Sequence, residues 1–339
     1  MLLKKGNRGV GKVSNKPIEE RILDGIMRNL NNINVISSLN NKTPIFNEGF
    51  NWCLKEKKRI LYIINLDRKD VDILGIISKG LINYIDDKNS RVHSDKINVC
   101  THNRALYIDE KFDLVIYDEI NARPRYSRES IINVMNYRCN NYGIMIGYSV
   151  ELIFGNELTL FNFKKHKQIP IVEPRIITTR MNVEEEIPMG VYEYLEWSIN
   201  TNRKVIIYVP DNEKVDRIFK YLHHIQDKLT RNIFKKKIGK FDRNDISEFL
   251  ASDYGILVTD DLNENYTIHP VNIMVFFADS IDFNYKDLIY ISSKVNRLSM
   301  TEREEVIFLC NCETENMDKC REILRELNKK AWEEGFLKL

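Results

Sequence analysis

The stretch "FDLVIYDEI", residues 112–120, decides the fold class. Its apolar run ends in Asp118 and Glu119, a pattern typical of a buried parallel strand with charged residues at its carboxyl end. At such a position one carboxylate can orient Mg²⁺ and its water, and the other can polarise an attacking water. A strand that merely ends in solvated charges is the alternative interpretation. The pattern of the surrounding sequence distinguishes these two interpretations.

Short apolar runs alternate with segments of helical period on both sides of this stretch, which predicts βα units around a parallel sheet. In the first half, strands are predicted at 33–39, 59–64, 97–101, 113–119 and 142–148, and helices at about 44–56, 69–85 and 127–139. In the second half, strands are predicted at 204–209, 255–259, 272–278 and 305–310, and helices at about 191–200, 212–229, 244–252, 283–293 and 315–334. Residues 151–190 lose this rhythm and contain three prolines, so they predict a connector with one strand at "RIITT".

The composition is that of an ordinary globular protein. Of 339 residues, 43% are hydrophobic and 29% charged, and 51 Lys and Arg nearly balance 49 Asp and Glu. Affinity for nucleic acid would therefore have to come from local basic patches, of which 228–243 is the densest. The six cysteines include no C-x-x-C pair, so we expect reduced thiols and no zinc. No apolar run approaches the ~18 residues of a membrane span, and we expect no membrane insertion and a cytoplasmic location.

Two stretches compete as a phosphate-binding loop. "GNRGVGKVS", residues 6–14, spells most of G-x-x-x-x-G-K-[ST], but Val13 replaces the hydroxyl that holds Mg²⁺ and no strand precedes it. We therefore interpret residues 1–19 as a flexible basic leader. "SSLNNKTP", residues 37–44, follows the first strand and opens the first helix, the place where such a loop is expected. It offers Lys42 for phosphates and Thr43 for Mg²⁺, while Asn40 and Asn41 stand where glycines are usual.

The order of these segments resembles the late-competence ComFA-type DNA translocase family, which has a superfamily 2, DEAD/DEAH-like helicase core. The resemblance runs from about residue 20 to the end. It rests on the following stretches: "FDLVIYDEINARP" (112–124), "RKVIIYVPDNEKVDRIFKYL" (203–222), "YGILVTDDLNENYTIHPVNIMVFFAD" (254–279), "YISSKVNR" (290–297) and "EVIFLCNCETENMDKCREILRELNKK" (305–330).

The resemblance implies an α/β protein with two tandem RecA-like domains, each a mostly parallel sheet flanked by helices, the P-loop NTPase fold. It places the first domain at 20–150, a connector at 151–190 and the second domain at 191–339. It implies ATP with Mg²⁺ between the domains, and single-stranded DNA across both. Carried over by position, the nucleotide contacts are Asn40, Asn41, Lys42, Thr43, Asp118 and Lys294, the Mg²⁺ contacts are Thr43 and Asp118, and the catalytic residues are Glu119 and Arg297.

Departures from the family pattern fall on functional positions. The phosphate loop lacks glycines, and Glu19 and Glu20 stand where an adenine-reading Gln is expected. Lys294 replaces an arginine, and an ammonium cannot bind phosphate oxygens with two parallel hydrogen bonds as a guanidinium does. The coupling motif reads "IGYSVE" (146–151), and the family's four-Cys zinc module is absent. The expected result is weak or lost ATP hydrolysis.

Two functions from different classes therefore stay open. One is a working ATP-dependent DNA translocase that holds single-stranded DNA in a basic groove with Arg68, Lys69 and Arg104. The other is a non-catalytic scaffold, derived from a helicase, that binds DNA or partner proteins. In both cases other DNA-uptake proteins are candidate partners. Through them the protein would lie at the inner face of the membrane.

Overall fold

A computed structural model of the chain describes residues 16–39, 44–64, 79–86, 90–155, 158–163, 169–238, 243–262, 270–295 and 304–337. The helices are α1 (Ile18–Met27), α2 (Asn47–Lys55), α3 (His102–Ala105), α4 (Arg128–Arg138), α5 (Met189–Asn200), α6 (Asn212–His224), α7 (Arg243–Ala251), α8 (Tyr285–Ser292) and α9 (Glu315–Glu333). The strands are β1 (Asn32–Ser37), β2 (Ile60–Ile64), β3 (Ile82–Tyr84), β4 (Ile97–Cys100), β5 (Phe112–Asp118), β6 (Cys139–Ser149), β7 (Leu158–Asn162), β8 (Arg175–Thr178), β9 (Lys204–Tyr208), β10 (Ile233–Lys236), β11 (Gly255–Thr259), β12 (Val271–Phe276) and β13 (Val306–Cys310).

The strands form two parallel sheets. The first has the order β3-β4-β2-β5-β6-β1-β7, and the second has the order β10-β11-β9-β12-β13-β8. We call the elements from α1 to β7 the first lobe and those from β8 to α9 the second lobe. Helices cover both sheets, as parallel strands that are buried on both faces require. The predicted fold class is confirmed.

The stretch 112–120 forms the centre of the first sheet. Strand β5 lies between β2 and β6, with Ile64 and Tyr148 opposite Asp118. Its residues from Leu114 to Tyr117 are fully buried, because helices pack on both sides of this parallel sheet. Strand β6 separates β5 from β1. Since neighbouring strands lie about 4.8 Å apart, the carboxyl ends of β1 and β5 are separated by about 10 Å.

The described residues correct part of the sequence prediction. A helix was expected over 69–85, but 79–81 form a 3-10 turn and β3 follows it. Strand β3 pairs with β4, and Asn83 Nδ2 donates to Asn98 Oδ1 at 2.9 Å. That cross-strand pairing outweighs the helical spacing of the sequence. The sequence also failed to predict β10, within the basic stretch, and α1 ahead of the first strand.

The segment 151–190, expected to be a connector, contributes a strand to each sheet. Strand β7 pairs with β1 in the first lobe, and β8, at the "RIITT" stretch, pairs with β13 in the second. We propose that the lobes divide between these two strands. A separate apolar core lies in each lobe, while a third cluster combines residues of both, among them Ile120 and Ala122 of the first lobe and Phe283 and Leu288 of the second.

Candidate functional site: a buried carboxylate pair between two lobes

Asp118 ends β5 as a buried, fully hydrogen-bonded carboxylate. Its Oδ1 accepts from the backbone N–H groups of Ile120 at 2.8 Å and Asn121 at 3.0 Å. Its Oδ2 accepts from the Asn121 side-chain amide at 2.8 Å and from the Tyr62 hydroxyl of β2. A carboxylate has about four acceptor positions, and protein donors take all of them. In this arrangement Asp118 has no position left for the water shell of Mg²⁺.

Glu119 is also buried, and each of its oxygens accepts one hydrogen bond. Its Oε2 accepts from Ser149 Oγ at 2.8 Å, at the end of β6. Its Oε1 lies 2.8 Å from Lys286 Nζ, which belongs to α8 of the second lobe. Glu119 is 3% exposed and Lys286 is 4% exposed. The group expected to polarise water is therefore neutralised by an internal cation.

Lys286 is held by groups of the first lobe. Besides Glu119, its ammonium donates to the Tyr126 carbonyl oxygen at 2.8 Å and lies 4.0 Å from Glu151 Oε1. An ammonium has three donors. Two of them donate to first-lobe oxygens, and the Glu151 carboxylate adds a nearby negative charge.

Further contacts between the lobes surround this pair. Arg123 Nε and Nη2 lie 2.8 and 2.7 Å from Asp287 Oδ1, and Asp287 is 2% exposed. The Tyr285 hydroxyl donates to Glu151 Oε1 at 2.6 Å. We call the six residues of these contacts the interlobe clamp: Glu119, Arg123, Glu151, Tyr285, Lys286 and Asp287.

The start of α8 is shaped for this contact. Asn284 caps the helix, because its Oδ1 accepts from the N–H groups of Lys286 at 2.9 Å and Asp287 at 3.1 Å. Asp287 Oδ2 in turn accepts from the Asn284 N–H at 3.3 Å, which completes a capping box. Residues from Lys286 to Ser292 are all buried. The positive end of the helix dipole thus lies near Glu119 and favours its ionised form.

Burial governs the electrostatics of both carboxyl groups. Desolvation raises the pKa of Glu119 above its usual range, and Lys286 and Ser149 oppose that rise. Desolvation likewise raises the pKa of Asp118, against hydrogen bonds from Tyr62 and Asn121. In each case the surrounding donors stabilise the ionised form within the fold. The net direction of both pKa shifts is nevertheless upward, so burial outweighs these donors.

Lys294, expected in the place of an arginine finger, is engaged inside the second lobe. Its ammonium donates to the Leu262 carbonyl oxygen at 2.9 Å and lies 4.7 Å from the Tyr290 ring centroid and 5.7 Å from that of Tyr208. The other predicted site residues, Asn40, Asn41, Lys42, Thr43 and Arg297, lie outside the described residues, as do Arg68 and Lys69.

Three lysines of the basic stretch 228–243 pair with acids in the part that the structure describes. Lys235 and Lys237 both pair with Asp216, the former at 3.1 Å. Lys236 lies 3.2 Å from Asp261. Part of the positive charge of this stretch is thus compensated within the protein, which weakens the expectation that it binds phosphates.

The sequence did not reveal four residues that shape the site: Tyr62, Asn121, Ser149 and Lys286. Tyr62 and Ser149 belong to strands whose apolar pattern shows only that they are buried. One feature of the sequence indicated that Lys286 is unusual: it is a lysine at the start of the apolar helical run "DLIYIS". A charge in such a run indicates a buried partner.

Within the part of the chain that the structure describes, no group of three or more His, Cys, Asp or Glu side chains is arranged to hold a metal ion. None of the helices described there has the length and apolar character needed to cross a membrane.

Comparisons with solved structures identify the fold of this chain. No family model matches the chain, and no curated protein matches it by sequence. Among solved structures, S. cerevisiae Dbp5 bound to RNA and ADP BeF3 superposes with a TM-score of 0.53 at 14% identity, over 94% of this chain and 91% of that one.

The Escherichia coli DEAH/RHA helicase HrpB superposes with a TM-score of 0.52 at 10% identity. The match covers 90% of this chain and 44% of HrpB. The chain thus spans less than half the length of HrpB. With its two parallel sheets flanked by helices, the chain has a tandem RecA-like fold similar to that of these two structures.

Proposed function

We propose that this protein is a helicase-fold nucleic-acid-binding protein in which ATP hydrolysis is weak or lost. The observation that carries the proposal is the buried pair between Glu119 and Lys286. A carboxylate that polarises water must have an oxygen within hydrogen-bond reach of that water. Glu119 is buried, and each of its oxygens already accepts from a protein donor. Of the two functions left open by the sequence, the clamp favours the non-catalytic scaffold.

The environment of Asp118 supports the same proposal. Contact with hydrated Mg²⁺ would require Asp118 to give up hydrogen bonds from Tyr62 and Asn121. Hydrogen bonds to charged groups contribute about 1.5–3 kcal/mol each, so the exchange is unfavourable unless the metal returns more. ATP and Mg²⁺ binding by residues 40–43 remains part of the proposal, to be tested separately from hydrolysis.

The proposed ligand is single-stranded nucleic acid. The likeness to Dbp5 bound to RNA supports nucleic acid in general, and the resemblance of the sequence motifs supports single-stranded DNA and a role in DNA uptake with partner proteins. A protein that grips the backbone with cationic groups loses affinity steeply with salt. A salt-dependent preference for single strands over duplex is therefore expected.

The test measures ATP hydrolysis with and without single-stranded DNA for the wild type, Glu119→Gln and Lys286→Met. We expect background rates for all three proteins. DNA-stimulated hydrolysis in the wild type that disappears in Glu119→Gln would establish a working motor and overturn the proposal. Lys286→Met removes the cation that pairs with Glu119. A background rate in this variant would mean that the lost hydrolysis has causes besides that pair.

Nucleotide and DNA binding are measured on the same samples. Lys42→Ala tests the predicted phosphate contact, and Lys55→Ala, an exposed lysine of α2, is its matched control. Labelled single-stranded DNA, single-stranded RNA and duplex DNA are compared at two salt concentrations. Failure to bind any of them would leave a protein-binding scaffold.

A further inference from the structure

We propose that the interlobe clamp holds the two lobes closed in the absence of nucleotide. The clamp is formed by Glu119, Arg123 and Glu151 of the first lobe and Tyr285, Lys286 and Asp287 of the second. This proposal rests on the proposed function in one respect: the ligand that the closed form would bind is nucleic acid.

The burial of α8 is the first observation. Its residues from Lys286 to Ser292 are all buried, whereas a helix at the surface of one lobe would keep a polar face in water. On one side α8 packs against α9 of its own lobe. On the other, Lys286 and Asp287 reach Glu119 and Arg123 of the first lobe. The burial of Lys286 and Asp287 at the start of α8 therefore depends on the first lobe.

Charge complementarity is the second observation. Each of the two charged residues at the start of α8 meets the opposite charge: Lys286 meets Glu119, and Asp287 meets Arg123. These pairs alternate in sign across the interface, so a shifted docking would bring like charges together. Paired charges of this kind fix register more than they add stability. They select one closed arrangement.

Apolar contact adjacent to the charges supplies attraction. One continuous apolar cluster includes Ile120 and Ala122 of the first lobe and Phe283 and Leu288 of the second. All four are buried. Opening the lobes would expose such surface to water, which opposes opening.

The consequence concerns what drives closure. A ligand shifts a conformational equilibrium only by its difference in affinity for the two states. Here the Lys286 ammonium, a part of the chain, contacts first-lobe oxygens and occupies the position beside Glu119. Closure therefore needs no bound nucleotide. Any nucleic-acid surface formed jointly by the two lobes exists already in the nucleotide-free protein.

The test is small-angle X-ray scattering on the full chain, without and with a non-hydrolysable ATP analogue. A compact chain of this length has a radius of gyration of about 20 Å, and we expect the same value in both samples. A wild-type protein that is larger without the analogue and contracts when it is added would overturn the proposal.

Charge reversal in the interlobe clamp provides an independent test of the proposal. Glu119→Lys places two cations together and is expected to increase the radius of gyration, as is Lys286→Glu, which faces Glu119 and Glu151. The swapped double variant Glu119→Lys/Lys286→Glu restores opposite signs and should return toward the wild-type size. Lys330→Glu reverses a charge in the surface pair with Glu333 and should leave the size unchanged. If the reversals fail to fold, the wild-type measurement alone decides.

Binding of single-stranded DNA separates this proposal from the proposed function. Its affinity should change by less than about twofold when the ATP analogue is added, because the analogue has no open state to shift. A compact protein that binds no nucleic acid would refute the proposed function and leave the closure intact. A protein that binds DNA but is expanded without nucleotide would refute the closure alone.

Discussion

The Lys286 ammonium of the second lobe lies 2.8 Å from Oε1 of Glu119 in the first lobe, and both side chains are almost fully buried. A buried ion pair recovers its desolvation only when the remaining donors and acceptors are satisfied. Here each partner has one further hydrogen bond, since Ser149 donates to Glu119 and the Tyr126 carbonyl oxygen accepts from Lys286. The pair therefore has a structural role that a catalytic carboxylate in a working site would not have.

Removal of the cation should destabilise the protein strongly. Lys286→Met leaves Glu119 as a buried charge with Ser149 as its remaining hydrogen-bond donor. Removal of one partner of a buried ion pair lowers the free energy of unfolding by about 3–5 kcal/mol, which urea unfolding measures. The matched control is Lys330→Met, which removes a surface ion pair at 2.6 Å and should cost less than about 1 kcal/mol.

The penalty of Lys286→Met should also depend on pH. Without Lys286, desolvation acts on Glu119 with less opposition, and its pKa in the folded variant lies further above that of the unfolded chain. An acid with a raised folded pKa is penalised above that pKa and relieved as the pH falls through it. The difference in unfolding free energy from the wild type should thus shrink on acidification. A difference that is independent of pH would mean that Glu119 is not the group left unpaired.

Tyr62 should stabilise the fold through Asp118. Tyr62→Phe removes one donor from Asp118 and leaves that oxygen with the Asn121 amide alone. Loss of a hydrogen bond to a buried charge costs about 1–3 kcal/mol, detectable by urea unfolding. Tyr142→Phe removes the hydroxyl of a tyrosine that is 85% exposed and should be nearly neutral. Equal effects of the two variants would show that Asp118 does not depend on Tyr62.

Much of the fold follows from the sequence, because parallel strands buried on both faces appear as continuous apolar runs. "LVIY" in β5 and "GILVT" in β11 are such runs, and both were placed correctly. Strand β3 was missed, since three partly buried residues carry no periodicity. Its formation depends on pairing with β4, which lies more than ten residues along the chain.

The site was predicted only in part. The Asp118-Glu119 pair and its place at the carboxyl end of a strand were identified from the local pattern. The partners of that pair were not, because Tyr62 and Ser149 come from neighbouring strands and Lys286 from the other lobe. No local spacing encodes a contact between residues 167 positions apart. What the carboxylates can do chemically was decided by those distant partners.

Thiol reactivity provides a test of the packing. Five of the six cysteines are buried, and Cys312 is exposed. Burial raises the pKa of Cys100 and Cys310 to about 12, so their reactive thiolate forms are scarce at neutral pH. Ellman's reagent should modify one thiol quickly in the native protein and all six in denaturant. Cys312→Ser should remove the fast phase. More than one fast thiol would contradict the packing around the other cysteines.

His102 should make the stability of the first lobe depend on pH. Its Nδ1 lies 2.8 Å from the Tyr117 hydroxyl, its Nε2 lies 3.1 Å from Ser130 Oγ, and its ring stacks on Tyr126 at 3.6 Å. Desolvation lowers the pKa of this buried imidazole to about 4. The neutral ring is thus the form that fits the fold.

The direction of the effect follows from the difference between the folded and unfolded pKa values. Above about pH 6.5 the imidazole is neutral in both states, and its full contribution is present. Between about pH 6.5 and pH 4 the imidazole takes up a proton in the unfolded chain but not in the folded one. The free energy of unfolding therefore falls by about 3 kcal/mol over this range. His102→Gln should be less stable at pH 7 yet lose less stability on acidification, whereas the exposed His93→Gln should follow the wild type. Parallel wild-type and His102→Gln curves from pH 7 to 4 would show that His102 is protonated within the fold.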